Sequence, residues 1–327
     1  MYKRLLDMYR ELKEAGSISD FPNILGDVMH KELLRSFESV SGSAKLICKK
    51  GLLTDFRSHD RVMLHGFPNL NKIATGGKRV GEYKDNKLSD NKYSIQLDTE
   101  GLAFSIGREL IINDDKNALK QVPEMIGYSA ARTVNEAIVN MIEGDHKTYD
   151  GSSLFAVAHA NYGTTALSNT SAGKAAVQAA VNAIEKATDS VTGKKLGLKA
   201  KYLVTGIDLQ FVAIELLKAL NFLPVSTNGG GTYNGLVDAR LIPVVIPEIT
   251  SATAWYVIAE PTIMPVIEIG YLNGKETPDL LMRKPTMVNL AGGDDPFGYE
   301  FDDILYKVRF DYGLQLGYYQ SIYRGKA

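Results

Sequence analysis

Histidine and acidic side chains are the residues of this sequence that could carry acid–base or metal chemistry. The five histidines are His30, His59, His65, His146 and His159. They form no HExxH pair, and none has a carboxylate at the spacing of a metal site. His159 follows the segment Asp150–Phe155, but no serine stands in a nucleophile elbow and no cysteine–histidine arrangement is indicated. We therefore expect His159 to form structural hydrogen bonds, and we predict no catalytic, cofactor or metal site.

Acidic pairs and a glycine-rich tract are the remaining candidates for chemistry. Asp114-Asp115, Asp294-Asp295 and Asp302-Asp303 are adjacent in sequence, so their side chains point in different directions. Helix capping and solvated turns explain them better than paired acid–base work. Gly229–Gly231 lacks the Lys-Ser or Lys-Thr that follows a phosphate-binding loop, and it does not stand between a strand and a helix. A mobile surface loop is the better interpretation of that tract.

The composition indicates a folded protein without a dedicated nucleic-acid surface. The chain has 327 residues, of which 45% are hydrophobic, and this is enough for two or three domains with apolar cores. Its formal net charge is −1 and its isoelectric point is near 6.5. Affinity for phosphate backbones comes mainly from clustered Lys and Arg. We therefore expect any contact with nucleic acid to be weak and local.

The cysteine count and the N-terminal residues indicate the cellular environment. Cys48 is the only cysteine, which excludes an intramolecular disulfide and a cysteine-based zinc site and favours a reducing cytoplasm. Residues 1–15 carry charges through their apolar positions, unlike a signal peptide, and no apolar run approaches the length of a membrane span. The sequence therefore predicts neither a cleaved signal peptide nor a membrane partner.

One long helix, predicted at Asn113–Ile142, is the element around which the chain is organised. Small or apolar residues recur three or four apart along it, which predicts one buried stripe. These residues are Leu119, Val122, Ile126, Ala130, Val134, Ala137 and Met141. Asp114 and Asp115 are candidates for the N-cap, and Pro123 predicts a kink or a loose first turn. A helix of this length and pattern suits a spine lying against a sheet.

The segments before this helix predict an arm and a long hairpin. Residues 1–15 and a second segment beginning at Phe21 have the pattern of amphipathic helices, which gain stability mainly by docking. Phe56–Ile112 alternates like paired strands around a polar middle, and its apolar phase changes near Gly101, which predicts a β-bulge there. A long hairpin with few core residues at its tip needs partners for its edges and apolar face, which is a first indication of assembly.

The remainder alternates helices and strands and completes an α+β pattern. Helices are predicted at 172–188, with Ser171 as the cap, and at 208–220. Strands are predicted at 201–205, 241–246, 255–259 and 266–271. A last alternating element, Leu305 to Phe310 and on through Leu314 to Tyr319, is predicted to close a sheet.

Several motifs in this framework resemble those of the Mu-like phage major head subunit family, in the same order and at compatible spacing. The motifs are Ile111–Asp115, Ala130–Asn135, Asp150–Phe155 and His159–Asn161, with Pro22–Val28 and Asp55–Arg57 upstream and Lys307–Gly313 and Tyr323–Gly325 downstream. The resemblance covers most of the chain, although residues from about 220 to 300 match in layout more than in residue type. Several ordered motifs together are far more specific than any one of them.

The resemblance implies the Hong Kong 97-type phage capsid fold, in the α+β class. Its parts would be an N-terminal arm at 1–55, an extended β-hairpin loop at 56–112, the spine helix of a peripheral domain at 113–150, an axial domain at 151–300, and C-terminal strands at 301–327 that complete the sheets. The predicted elements fall into these parts without rearrangement.

The implied function is structural. Members of such a family self-assemble into hexamers and pentamers of an icosahedral phage head that encloses double-stranded DNA, by repeated burial of inter-subunit surface. The resemblance implies no enzymatic activity and no cofactor. The expected partners are other copies of the chain, DNA through weak non-specific contact, and portal and scaffold or head-protease proteins. The expected location is the virion capsid, assembled in the host bacterial cytoplasm.

Two other functions remain open at this point. An encapsulin-like shell shares the implied fold but encloses enzymes, and a soluble α/β enzyme with an unrecognised site belongs to a different class altogether. The mass in solution separates the enzyme from the shells, because an enzyme stops at a small oligomer.

Candidate residues for the subunit interface come from the hairpin and the spine helix. Arg57, Arg108 and Arg132 are expected to pair with carboxylates of neighbouring subunits, because the planar guanidinium suits desolvated interfaces. Lys78, Arg79 and Tyr83 lie in the hairpin tip, which we define as Gly76–Asn91. The tip has few large apolar side chains, so we expect it to matter for assembly and little for subunit folding.

Overall fold

A computed structural model of the chain describes residues 21–40, 42–64, 74–75, 78–79, 90–107, 109, 118–218, 221–222, 232–283, 287–288, 294–295 and 303–327. Within them the α-helices are α1 (Phe21–Val40), α2 (Ala118–Glu143), α3 (Ser171–Glu185) and α4 (Gln210–Lys218). Single turns of 3₁₀ helix lie at Ala44–Ile47, Val157–His159, Ile207–Leu209 and Tyr319–Ser321. The mixture of helix and sheet confirms the α+β class.

Strands in the first half of the chain are β1 (Cys48–Leu53), β2 (His59–Leu64), β3 (Ala74–Thr75), β4 (Lys78–Arg79), β5 (Asp90–Ile95), β6 (Asp98–Gly107) and β7 (Tyr162–Gly163). Those in the second half are β8 (Ala200–Thr205), β9 (Asn221–Phe222), β10 (Thr232–Tyr233), β11 (Ile242–Val245), β12 (Trp255–Ala259), β13 (Ile267–Leu272), β14 (Asp279–Met282), β15 (Met287–Val288), β16 (Asp294–Asp295), β17 (Asp303–Leu316) and β18 (Ile322–Gly325). The last predicted element, Leu305 to Tyr319, corresponds to β17, but β17 ends at Leu316 and Tyr319 belongs to a turn of 3₁₀ helix.

Some predictions fall on residues outside the described ranges. These are the helix at 1–15, the caps Asp114 and Asp115, Asp302, His65 and the tract Gly229–Gly231. The predicted spine helix is present as α2, with Pro123 in its second turn, where proline cannot donate a hydrogen bond to the carbonyl four residues earlier.

The chain divides into two compact units, each assembled from three separated segments. The first unit takes residues 1–42, 98–134 and 272–312, and the second takes 43–97, 135–271 and 313–327. The segments of each unit are separated in sequence by segments of the other unit. Strand pairing within each unit therefore mostly joins residues that are far apart in the chain.

The first unit is a sheet covered by α1 and the first part of α2. The first ten residues of β17 pair antiparallel with all ten of β6, and Tyr306–Arg309 also pair with β14 on the other edge. The apolar face of α1 has four-residue spacing at Met29, Leu33 and Phe37, as expected for a helix that packs on a sheet. Each of these side chains is buried against β17 or its neighbours, and the Phe37 ring meets Phe310 edge-on at 5.5 Å between centroids.

The predicted β-bulge at Gly101 is wrong. Gly101 pairs with Arg309 in the middle of an unbroken antiparallel register. Leu97 is still buried in the odd-numbered phase of Tyr93 and Ile95, so the apolar phase changes after Leu97, where β6 begins. β5 pairs with β2 and β6 pairs with β17, so the phase changes because the chain leaves one sheet and enters another.

The second unit contains a five-stranded sheet in the order β11-β8-β12-β18-β7. β8 is parallel to β11 and antiparallel to β12, and β12 is buried on both faces. Helices α3 and α4 cover this sheet with Val177, Ile184 and Leu216, which are fully buried. Thr170 caps α3 by accepting a hydrogen bond from the Gly173 amide, so the predicted cap Ser171 is wrong by one residue.

The second unit also contains β1, β13 and the end of β17, in that order in a sheet, together with the β2–β5 ribbon. The ribbon, defined as His59–Leu64 paired antiparallel with Asp90–Ile95, is the base of the predicted hairpin. Residues 65–89 join its two strands.

Helices α1 and α2 approach each other closely at Gly127. A methyl group on Gly127 would stand 2.5 Å from the Leu33 carbonyl oxygen and 1.9 Å from Ser36 Oγ, and the carbonyl belongs to the rigid backbone of α1. Ser36 Oγ itself donates to that carbonyl at 2.9 Å. Glycine is therefore the residue that permits this approach.

We expect Gly127→Ala to destabilise the subunit by roughly 1–3 kcal/mol, because the added methyl overpacks the contact between the helices. Helix propensity alone predicts the opposite sign, since alanine is favoured over glycine inside a helix by about 1 kcal/mol. Urea-induced unfolding of the unassembled subunit gives the measurement. Gly107→Ala is the control, because nothing lies within 4 Å of its added methyl; equal stability of the two variants would contradict the close approach.

Candidate assembly surface

The His159 ring is locked inside the loop formed by Asp150–Asn161. Its Nδ1 donates to the Leu154 carbonyl at 3.0 Å, and its Nε2 lies 2.7 Å from Oδ2 of Asp150. The ring stacks on Tyr319 with centroids 3.7 Å apart, and its side chain is 1% exposed. Both ring nitrogens and one ring face are thus occupied by the protein itself, and this geometry agrees with the predicted structural role.

Asp150 is the hub of the same loop. Its carboxylate accepts from Thr148 Oγ1 at 2.5 Å, from the Ser152 amide at 3.0 Å, and pairs with His159. Desolvation by burial raises the pKa of Asp150, but the hydrogen bonds from Thr148, His159 and Ser152 outweigh it and lower the pKa to about 2. The carboxylate is therefore ionised in the folded subunit at any ordinary pH.

Three of the sequence motifs, Asp150–Phe155, His159–Asn161 and Tyr323–Gly325, meet at this loop. Asn161 Nδ2 donates to the carbonyls of Leu154 and Tyr319, and the Arg324 guanidinium lies 4.3 Å from the centre of the Phe155 ring. The loop therefore holds the C-terminal strand β18 in place. Among the described residues no three His, Cys, Asp or Glu side chains group in a way that could hold a metal ion. No helix in that part of the chain is long and apolar enough to cross a membrane.

The β2–β5 ribbon has two chemically different faces. On its outer face Lys92 Nζ and Ser94 Oγ both donate to the Asp60 carboxylate, at 2.9 and 2.5 Å. The hydrogen bond from Lys92, and then that from Ser94, lower the pKa of Asp60 below its ordinary value. On its inner face Met63 and Ile95 are buried. The ribbon therefore carries a solvated ion pair on its outer face and is anchored through its inner face.

The anchor on the inner face is a buried carboxylate of β13. Glu268 is 4% exposed, and its two oxygens accept from Arg61 Nε at 2.9 Å and from Tyr93 OH at 2.6 Å. Arg61 also donates through Nη2 to the Leu52 carbonyl of β1 at 3.1 Å. Burial and then the bond to Glu268 raise the pKa of Tyr93, so its hydroxyl stays protonated and donates.

Large apolar side chains are exposed near the base of the ribbon. They are Leu46, Leu52, Phe56 and Val62, and in the first unit Val40, Leu102, Met125 and Tyr128 are similarly exposed. Leu52 and Val62 are each 61% exposed, although both belong to strands. Large apolar side chains with this exposure are candidates for burial against another protein.

The structure places only some of the predicted interface residues. The Arg57 side chain is exposed in the turn between β1 and β2, where the Arg57 amide donates to Asp55 Oδ1 at 3.0 Å. Arg132 is exposed on α2 in the first unit. Lys78 and Arg79 form β4, which pairs with β3, while Arg108 and Tyr83 lie outside the described residues. Of the four described candidates, Arg57, Lys78 and Arg79 belong to the second unit and Arg132 belongs to the first.

The comparison with protein families decides the identity. The family model described as phage capsid protein matches residues 92–325. The chain belongs to the phage capsid protein family. It is a structural capsid protein and a component of the virion capsid, as the motifs implied. No curated protein matches the capsid chain in sequence.

Solved structures with the same fold are distant in sequence. A chain of Microbacterium phage Oxtober96 is 14% identical, with a TM-score of 0.58 over 88% of the capsid chain and 91% of its own. The capsid structure of cyanophage P-SCSP1u is 11% identical, with a TM-score of 0.55 and 86% of each chain covered. A virus-like particle from Pyrococcus furiosus is 10% identical, with a TM-score of 0.53 over 92% of the capsid chain and 98% of its own chain. These likenesses confirm the Hong Kong 97-type fold.

Glu268 and the exposed apolar residues are the parts of this surface that the sequence analysis missed. A signal for Glu268 was present, since it is the one charge in the apolar run Val266–Tyr271, and a charge in such a strand is either paired or functional. Leu52 and Val62 gave no signal, because exposed and buried apolar residues look alike in a strand pattern.

We expect Asp150→Asn to lower the stability of the capsid subunit by roughly 1 kcal/mol at neutral pH, after allowance for the partial exposure of Asp150. The folded-state pKa lies below the ordinary value of 3.8, so this stabilisation is present above about pH 4 and is lost as the pH falls toward 2. Urea unfolding at pH 5, 4 and 3 should show the wild type losing more stability than the variant. Asp145→Asn is the control, because among the described residues the Asp145 carboxylate accepts a hydrogen bond only from Ser153. Parallel pH profiles for wild type and Asp150→Asn would refute the role of Asp150.

Proposed function

We propose that this capsid protein forms hexamers and pentamers that tile an icosahedral phage head around double-stranded DNA. The match of the capsid family model across residues 92–325 carries the proposal. The ribbon supports it, because residues 65–89 add a long connection between two strands that already pair, more chain than the core of one subunit needs. The exposed apolar residues at its base would be buried by repeated symmetric contacts.

Further partners follow from the family resemblance and the charge of the chain. A net charge of −1 favours weak, non-specific contact with the packaged DNA over a dedicated binding site. Portal and scaffold or head-protease proteins would act with the subunit during assembly in the cytoplasm of the bacterial host. We also infer that the Mu-like motifs place the chain in the Mu-like branch of head subunits.

An encapsulin-like shell is the second candidate, favoured by the virus-like particle from Pyrococcus furiosus among the similar structures. That likeness concerns the fold alone. The contents of purified particles separate the two functions, because a phage head encloses DNA and an encapsulin encloses protein.

Purified full-length protein should form rings or closed shells without a cofactor, visible by electron microscopy. The matched variant replaces 76–88 of the hairpin tip by a short Asn-Gly turn; Asp90 and Asn91 stay because they pair with Leu64 and Met63. We expect aberrant particles or none from this variant, but only a small shift in the unfolding midpoint of its subunit, since shortening a surface loop changes closure entropy little.

Normal shells from the shortened chain would contradict the role of the hairpin tip. A wild-type chain that stays monomeric across concentration and salt, with native circular dichroism, would overturn the proposed function itself.

Arg57, Arg108 and Arg132 are proposed to pair with carboxylates of neighbouring subunits. Changing all three to alanine should leave the free energy of subunit unfolding within about 1 kcal/mol, because surface ion pairs contribute little. The yield of shells and their resistance to urea should fall. Arg35→Ala is the control, an exposed arginine whose Nη1 donates to Glu32 at 3.4 Å within its own helix. Unchanged shells from the triple variant would remove the arginines from the interface.

A further inference from the structure

We propose that Glu268 is a positioning residue for assembly: it fixes the β2–β5 ribbon on its own unit and so sets the direction in which the hairpin leaves the subunit. The inference rests on the proposed function, since it concerns the hairpin through which copies are expected to meet. It adds a specific buried residue, which lies on β13 and outside the hairpin in sequence, whose chemistry controls the presentation of the hairpin tip.

The register of the ribbon makes Glu268 a two-point anchor. Arg61 on β2 and Tyr93 on β5 stand directly opposite each other in the antiparallel register. Each donates to a different oxygen of the same carboxylate, at 2.9 and 2.6 Å. One side chain of β13 therefore binds both strands of the ribbon, at residues that are paired with each other. A slip of either strand by one residue would turn its donor to the opposite face and break the contact.

The carboxylate depends on both partners because it is buried. A charged group removed from water at this depth is costly unless it is paired and hydrogen-bonded. Both oxygens of Glu268 are occupied, and the Arg61 guanidinium supplies the opposite charge. The ribbon and β13 are therefore held together only in the arrangement that satisfies the carboxylate.

The strand β1 is shaped to admit this anchor. A methyl group on Gly51 would stand 2.3 Å from Glu268 Oε1 and 3.3 Å from Arg61 Nη2. The same guanidinium donates to the Leu52 carbonyl. Four strands, β1, β2, β5 and β13, thus converge on one carboxylate, and the residue next to it has no side chain.

Direction is what this network adds to ordinary packing. Met63 and Ile95 also lie on the inner face, but apolar contacts are non-directional and tolerate small rotations. Charge-assisted hydrogen bonds to fixed oxygens do not tolerate them, because they require short distances and near-linear geometry. Buried polar groups that specify one arrangement at the expense of stability have precedent in coiled coils. Glu268 therefore fixes the orientation of the ribbon, and the apolar residues stabilise its packing.

The test compares Glu268→Gln with Asp60→Asn in the full-length chain. Asp60 belongs to the same ribbon and accepts from Lys92 at 2.9 Å, but on the exposed outer face. Both variants replace a carboxylate by its amide, so they differ mainly in burial and in which face is changed. Two readouts are taken: amide hydrogen exchange of the unassembled subunit, and particle counts by electron microscopy. Tyr93→Phe, which removes one donor and keeps the ring, is the second variant should Glu268→Gln fold poorly.

We expect Glu268→Gln to raise exchange of the β2 and β5 amides at least about tenfold, with β8 and β12 amides unchanged, because only the ribbon is released. Shells should be lost or aberrant. Tyr93→Phe should change both readouts in the same direction by a smaller factor, and Asp60→Asn should match the wild type in both.

If the β2 and β5 amides of Glu268→Gln exchanged as slowly as in the wild type, the proposal that Glu268 anchors the ribbon would be overturned. A released ribbon with normal shells would overturn its role in assembly, and so would an equal effect of Asp60→Asn. A wild-type chain that forms no shells would instead overturn the proposed function, while the exchange data would still decide whether Glu268 holds the ribbon.

Discussion

Backbone pairing to the C-terminal strands is the interaction on which both units depend. In the first unit β17 lies between β6 and β14, which come from residues far apart in the chain. In the second unit β18 lies between β12 and β7 in the same manner. Neither sheet can be complete before the C-terminal strands β17 and β18 take their places between their neighbours. Such non-local pairing delays folding until long loops have closed.

Local elements of this fold were readable from the sequence because their cause is local. The strand Trp255–Ala259 was predicted with the bounds that the structure shows, since a short apolar run between turn residues has few alternatives. The helices α2 and α3 followed from apolar spacing in the same way. What the sequence could not show is which strands pair. The change of phase after Leu97 looked like a bulge, because a change of sheet and a bulge leave the same local pattern.

The candidate site was harder to predict because its chemistry is assembled from distant residues. Arg61, Tyr93 and Glu268 are unremarkable individually, and only the paired ribbon over β13 turns them into one network. The loop at His159 is the opposite case, since Asp150, Leu154 and Asn161 lie close in sequence and act together. That loop was recognised as a motif, yet its contacts show a structural clamp on β18.

The position of the buried charge follows from what a shell subunit requires. Burying an ion pair contributes little net stability compared with apolar residues of similar size, so stability alone gives no reason for Glu268 in an otherwise apolar strand. A hairpin that must meet a neighbouring copy needs one defined orientation at its base, and directional hydrogen bonds supply it. The ribbon meets its own unit through a directional network inside and presents a separate, solvated ion pair outside. The inner face of the two strands therefore sets the orientation of the ribbon, and the ion pair on the outer face keeps that face solvated.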